Sequence, residues 1–362
     1  MYRIWSLLLL FIFILFNSCQ YFTLLGQKEW RKESGNDDVD IYISGYRYYD
    51  PGNSSIACYW KIGEDSPIDL EEGNPGGAFQ IKIYGNDIYI CGVYNDVVGS
   101  TNTKACYWKN GKIVKLDCPY SNSFAASIAI ADGLVYVCGQ YWSGGIEYAC
   151  YWINGVFHYL DSTFGSAARA IFFESVSNIV LIAGYYDDDV TAGIQSHACY
   201  WKDGVLFSLP DNGTGYSDSF GIAYKGKDLY MCGYNYDNIT TNQRACYWKN
   251  GVKAGVDITN SVFYAMKIID NDIYYSEQYD GGGCRYWKND NVISLPYPSG
   301  GSGDCWIRSV YSFNSALYIC GYTLDAAPDY HTCWWKDGKT MGFLEDYNTN
   351  ESNAIDIAVK YK

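Results

Sequence analysis

Histidine is scarce in this chain: only His158, His197 and His331 stand among 362 residues. Three scattered imidazoles make a histidine-rich metal centre or a histidine-based triad hard to assemble. Proline is scarce too, at 8 residues against 37 glycines, 38 tyrosines and 12 tryptophans, a usage that excludes a collagenous or disordered chain. Positive charge is short: 26 Lys and Arg face 40 Asp and Glu, a formal net charge of -14. Such a field repels nucleic acid, and no basic stripe opposes it locally. Also missing are a Gly-x-Ser-x-Gly elbow, a His-Glu-x-x-His pair and a phosphate-binding loop. The run from Ile4 to Phe16 falls short of the roughly 20 residues of a spanning helix.

That run does have a meaning of its own. Met1-Tyr2-Arg3 gives a short basic start, the apolar stretch follows, and Asn17-Ser18-Cys19 ends it, the pattern of an export signal. Leu15-Phe16-Asn17-Ser18-Cys19 resembles a bacterial lipoprotein signal, departing from it at Phe16 and Asn17. The resemblance implies cleavage before Cys19, lipidation of that cysteine, and anchoring by acyl chains with no spanning helix. A plain secreted product cut near the same point is the alternative, and an uncleaved anchor the third. The expected division is a signal peptide over residues 1–18, a lipidated cysteine and tether over 19–38, and a folded part over 39–362.

The folded part repeats. Cys-Tyr-Trp-Lys recurs at Cys58, Cys106, Cys199 and Cys246, with Cys150-Tyr151-Trp152 and looser copies at Cys284-Arg285-Tyr286-Trp287 and Cys333-Trp334-Trp335. Seven copies about 46 residues apart have the length of a propeller blade. Each period parses into four short strands, as in Ala78–Tyr84, Ile88–Gly92, Ala105–Lys109 and Ile113–Leu116. Asn-Gly or Asp-Gly joins the third strand to the fourth, the strongest short-range hairpin signature. The extra residue between Cys284 and Trp287 marks a candidate β-bulge. The region opens on a second strand (residues 40–45) and ends on a first strand (residues 354–359). The expectation is therefore an all-β, seven-bladed β-propeller with four antiparallel strands per blade. The C-terminal strand closes the ring by joining the N-terminal blade.

With a period of two, Cys and Trp share one face of the third strand. Trp60, Trp108, Trp152, Trp201, Trp248, Trp287 and Trp335 are expected as blade-to-blade core, beside Cys58, Cys106, Cys150, Cys199, Cys246, Cys284 and Cys333. Cys91/Cys106, Cys138/Cys150, Cys232/Cys246 and Cys320/Cys333 stand as facing pairs, either disulfides or thiols in a small buried slot. Cys118 and Cys305 fall in expected loops. No cofactor or metal site is expected; Asp187, Asp188 and Asp189 give a weak calcium possibility in one loop.

The loops between second and third strands are long and varied, whereas the opposite turns are short and repeated, so a ligand is expected on the variable-loop face. Aromatic residues there are the candidate contacts: Tyr48, Tyr94, Trp142, Tyr185, Tyr236, Tyr279, Trp306 and Tyr330. The unit resembles kelch-like repeats, with Cys91-Gly92 and Cys138-Gly139 where kelch has a double glycine, and the repeats of poorly characterised bacterial surface lipoproteins. The resemblance implies no catalytic residue. The expected function is a membrane-anchored binding or scaffold module in the bacterial envelope, on the periplasmic or the surface side of the outer membrane. Its partner would be a protein or a glycan, and the ring itself a monomer. A glycan- or peptide-processing enzyme using loop carboxylates around the central channel is the alternative.

Overall fold

Tight turns build the repeat. Asn110 and Gly111 both take left-handed φ, 52° and 81°, as a type I′ turn requires. The same holds at Asn154-Gly155, Asp203-Gly204, Asn250-Gly251 and Asp337-Gly338. The turn asparagine also ties the hairpin to the second strand. Asn110 Oδ1 accepts from the Ile88 N–H at 2.8 Å, and its Nδ2 donates to Asp87 at 2.8 Å. Lys109 then pairs with Asp87 at 2.8 Å. Asn250 and Asn289 repeat the arrangement with Asp228 and Asp272.

The computed structural model describes residues 38–362 apart from 50–53, 73–74, 96–101, 161–163, 189–194, 212–215, 237–241, 298–303, 325–329 and 345–351. The expected signal peptide, Cys19 and the tether lie outside the described residues. Within them are 28 β-strands. They form seven antiparallel four-stranded units, here blades 1 to 7. The innermost strands of blades 2 to 7 are Gly76–Tyr84, Asn122–Ala131, Ser166–Glu174, Ser217–Lys225, Ser261–Ile269 and Cys305–Phe313. Blade 1 takes its innermost strand from the C-terminus, Ser352–Tyr361, which pairs with Val39–Tyr49. Each innermost strand packs against the next in a closed cycle of seven. Blades 6 and 7 are further joined by the pairings Gln278↔Trp306 and Tyr279↔Cys305.

The core lies between blades. Trp108, Trp152, Trp201, Trp248 and Trp335 are fully buried, with Trp60 and Trp287 nearly so. Trp108, for example, packs on Tyr42 and Ala57 of blade 1. Its Nε1 donates to the Glu71 carbonyl at 2.7 Å, and Trp335 Nε1 donates likewise to Pro296 at 3.0 Å. A buried indole N–H needs such an acceptor, and for Trp108, Trp152, Trp248 and Trp335 the chain leaving the preceding blade supplies it.

Two readings of the cysteines need correction. The facing pairs do not face. Cys91 lies opposite Tyr107, and Cys106 lies opposite Gly92. One residue out of phase places the two thiols on opposite faces of the sheet. Cys91 packs toward blade 3 and Cys106 toward blade 1. Cys138/Cys150, Cys232/Cys246 and Cys320/Cys333 share that offset, and all eight are thiols. The disulfide that does form joins Cys284 to Cys305, which sits in the innermost strand of blade 7 and not in a loop.

Nor does the sixth copy contain a bulge in its third strand. Tyr275↔Trp287 and Ser276↔Tyr286 pair without a shift. The extra residue slides Cys284 one place up the strand, so Arg285 takes the slot that cysteine fills elsewhere. Opposite it, Glu277 replaces the glycine of the other blades. Glu277 Oε2 accepts from Arg285 Nε at 2.6 Å and from Trp287 Nε1 at 2.8 Å, and Ser261 donates to Oε1. A buried ion pair has replaced the Gly/Cys pair in one blade.

Candidate functional site: the central channel

A bulge does occur, but in the innermost strand of every blade. Ala78 pairs with Gly92 and Gln80 with Cys91, leaving Phe79 unpaired between them. The equivalent residues are Ala126, Arg169, Phe220, Tyr264, Arg308 and Ile355. An unpaired bulge residue re-aims its side chain, and these seven line one cavity of about 180 Å³ on the ring axis. The bulge also explains the second-strand glycine. A Cβ on Gly92 would sit 2.0 Å from the Gly77 carbonyl oxygen, and Gly139, Gly184 and Gly233 meet the same obstacle.

The bulge had a sequence signature: the innermost strands skip a beat in their alternation. Fully or nearly buried residues fall three apart, Ala78/Ile81, Ala125/Ile128, Ala168/Ile171 and Ala354/Ile357, where an unbroken strand would place them two apart. The column within that gap reads Phe, Ala, Arg, Phe, Tyr, Arg, Ile.

Just past the bulge, polar side chains lace the blades together. Asp356 of blade 1 accepts from the Ile81 N–H of blade 2 at 3.2 Å and from Ser309 of blade 7. Gln80 Oε1 accepts from Ser127 Oγ at 2.8 Å and the Ile128 N–H at 2.7 Å in blade 3. Ser127 Oγ in turn accepts from the Ile171 N–H of blade 4 at 3.1 Å.

The channel is electrically two-sided. Toward blades 3 to 5, Arg169 donates to Asp218 Oδ2 at 3.0 Å and lies over Tyr185 at 5.2 Å and Phe220 at 5.6 Å. Glu147 also lies within electrostatic reach of that guanidinium, and Asp187 within reach of Glu147 and Asp218. Burial pushes the Asp218 carboxyl up to about 6 against the pull of Arg169, and burial raises Glu147 as well. On the far side, Arg308 stacks over Tyr264 at 4.1 Å. Lys267 lines the same cavity. Lys82 of blade 2 reaches Lys267 of blade 6, and its pKa is driven down to about 7 by burial first and by that second ammonium next.

The expected aromatic contacts are dispersed, one or two to a blade. Tyr185 lies against a bulge residue, Arg169. Tyr94 is buried beneath Lys115 and offers a ligand no surface. Tyr279 is covered by the Arg285 guanidinium at 3.3 Å. Tyr48 packs on Tyr46, Tyr236 on Tyr216 and Tyr234, and Trp306 on Tyr322. Trp142 is half-buried in the second strand of blade 3, opposite Glu147. The Tyr330 side chain and Asp189 lie outside the described residues. Asp187 accepts from Ser196 Oγ at 2.7 Å, and Asp188 contacts His197 Nε2 at 3.3 Å, so these carboxylates close their own loop. No metal-ligating cluster occurs among the described residues. The histidines lie on three different blades, His158 on Tyr151, His197 between Asp188 and Asp211, and His331 by Phe343.

No protein-family model matches the chain. No curated protein matches it either. Solved structures do. The β-propeller domain of the Trilobed protease from Pyrococcus furiosus aligns at TM-score 0.52 and 11% identity, over 86% of this chain and 96% of that one. At that identity the likeness speaks to the fold alone. That domain is described as having an open velcro topology, whereas here the terminal strands pair. A puromycin-hydrolysing peptidase of Mycobacterium tuberculosis aligns at TM-score 0.47 and 12% identity, over 75% of this chain and 46% of that one. The tricorn protease aligns at TM-score 0.44 and 10% identity, over 90% and 36%.

Proposed function

We propose that the chain is a ligand-binding propeller, held outside the cytoplasm by a lipid on Cys19, that takes a protein or glycan ligand over the mouth of its central channel without chemistry of its own. The observation that carries this reading is the bulge in every innermost strand. Seven side chains are turned onto one axis, out of register with the ladder, and line one cavity. Their mix of aromatic rings and guanidinium groups suits recognition. The anchor reading rests on the basic start, the apolar run from Ile4 to Phe16 and Ser18-Cys19 after it. Labelled palmitate incorporated by the wild type and lost in Cys19→Ala is the expected result; equal labelling of both would remove the anchor.

The binding reading is tested by capture from native envelopes, comparing wild type with Ala126→Trp, which fills the channel mouth from a bulge position. Loss of a specifically captured protein or glycan, with an unchanged melting profile, is expected. Retention by a well-folded variant would move the ligand off the channel.

One observation favours an enzyme as the second reading. Glu147 and Asp218 lie against Arg169 with Asp187 near both carboxylates, and a carboxyl near 6 is tuned for proton transfer at neutral pH. Asp218 is only 3% exposed, however, and its bond to Arg169 already occupies one oxygen. An Asp218→Asn variant that lost hydrolysis of an envelope glycan or peptide, while keeping its capture, would establish the enzyme.

A further inference from the structure

In a protein with 14 more acids than bases, three basic side chains gather at the central channel: Arg308 and Lys267 line its cavity, and Lys82 reaches Lys267. Arg308 has an aromatic ring beneath it and no carboxylate partner among the described residues. Lys267 and Lys82 extend from blades 6 and 2 and approach each other, with no ion pair to either among the described residues. One carboxylate is near, that of Asp356. It is occupied by Ser309 and by the N–H groups of Ile81 and Ile357. Two cations and a third basic group against one engaged carboxylate is an arrangement whose fully charged form repels itself when empty. Nothing in the architecture asks for it. The equivalents of Lys82 and Lys267 in blades 3, 5 and 1 are Ala129, Ala223 and Ala358, so the blades fold without a cation there.

We propose that the channel binds a monosaccharide-sized anion, its carboxylate or phosphate held by Arg308 and Lys267, with Lys82 behind Lys267, and its ring resting against Phe220 and Tyr264. This rests on the reading of the channel as a ligand site and names the ligand's chemistry. Size follows from the cavity, about 180 Å³. That is below the roughly 300–1,000 Å³ of clefts that enclose drug-sized molecules, and leaves room for one sugar ring. Orientation follows from the strand. The Lys82 and Lys267 backbones lie three residues beyond the bulge, about 10 Å further along their strands, and the Lys267 side chain lines the same cavity as Arg308. The anionic end therefore points down the channel, and the ring stays near the mouth, where Phe220 and Tyr264 pack together at 4.9 Å. Charge-assisted bonds in a confined site give the anion its advantage over a neutral sugar.

Binding should also be proton-linked. The groups facing Lys82 are Lys267 from blade 6, Asp356 from blade 1 and Cys91 from its own blade. An arriving anion offsets the repulsion between the two ammonium groups and favours the charged form of Lys82. Above pH 7 the complex therefore takes up a proton that the empty channel lacks.

The experiment is calorimetric titration of the full chain with glucuronate, glucose 1-phosphate, glucose and inorganic phosphate, at pH 8 in two buffers of different ionisation heat. Glucuronate or glucose 1-phosphate is expected to bind at least about tenfold more tightly than glucose. Proton uptake should accompany it, and Lys267→Met and Arg308→Met should each lose at least about tenfold. Preference for glucuronate over glucose 1-phosphate, or the reverse, tells carboxylate from phosphate. Glucose bound as tightly as either anion, or full affinity in both variants, would overturn the proposal. So would tight binding of inorganic phosphate equal to that of the sugar anions, since the ring would then contribute nothing. Ala126→Trp separates this failure from that of the parent reading. A ligand lost in Ala126→Trp but unaffected by Arg308→Met and Lys267→Met leaves the site in place with the wrong chemistry. A ligand indifferent to all three refutes the site itself.

Discussion

Single residues carry the departures from the repeat, and they are where its energetics can be measured. Glu277 and Arg285 replace the glycine and cysteine of the other blades, with the Glu277 side chain fully buried and that of Arg285 20% exposed. Removing one partner strands the other, together with Trp287 Nε1 and Ser261, at a cost of about 3–5 kcal/mol. Glu277→Ala and Arg285→Ala should each lower the unfolding free energy in a urea titration by that much. The Glu277→Gly/Arg285→Cys double variant, which restores the common pair, should recover most of it; an additive loss would mean the two are not coupled. Lys82 makes a second test. Its folded pKa, about 7, lies below the ordinary 10.5, so the unfolded chain binds more protons between those values. Stability from this residue is thus full above about pH 10.5 and lost as pH falls toward 7. Relative to Lys82→Met, the wild-type urea midpoint should rise from pH 7 to pH 10, and parallel curves would refute the shift. Buried thiols form a third. Burial pushes Cys91 and Cys246 up to about 12, so iodoacetamide at pH 8 should spare both in the native ring and label both in urea.

At the scale of strands and blades, much was legible and one thing was not. Asn-Gly and Asp-Gly turns require left-handed backbone at two successive residues, a demand few sequences meet by accident, and they located the hairpins directly. The start of the folded part on a second strand and its end on a first strand told how the ring closes. Register was harder. A one-residue offset between Cys91 and Cys106 leaves composition and spacing unchanged yet reverses which face each thiol occupies. The same offset, created by the insertion before Trp287, carried Cys284 to the edge where Cys305 of the next blade awaits it. That bridge closes a loop of 21 residues in sequence, worth about 3 kcal/mol by chain entropy. Cys305→Ser, or reduction of the wild type, should lower stability by about that amount, and the two should not add. An unchanged midpoint under reductant would show the bridge to be idle.

For the whole molecule, closure rests on the strand Ser352–Tyr361. It supplies blade 1 with its innermost strand and, through Asp356, contacts blades 2 and 7. A chain ending at residue 350 should lose its single cooperative unfolding transition and expose the edge of Val39–Tyr49, visible as aggregation on sizing. A truncated chain that melted as sharply as the full one would mean the ring does not depend on its clasp. The candidate site was the part least legible in sequence. Aromatic residues at strand ends drew attention by their abundance, but most of those described serve packing within their own blade. The channel residues were hidden because they share no chemistry, only a position. That position has a consequence for how such a protein can change. Residues 79, 126, 169, 220, 264, 308 and 355 stand out of register with the neighbouring strand, so, Arg169 with its buried partner Asp218 apart, a new side chain at one of them asks little of the sheet around it. Inheritance of the frame and drift of its lining are thereby uncoupled. Descendants of one such ring could differ in what they hold while melting at nearly the same temperature.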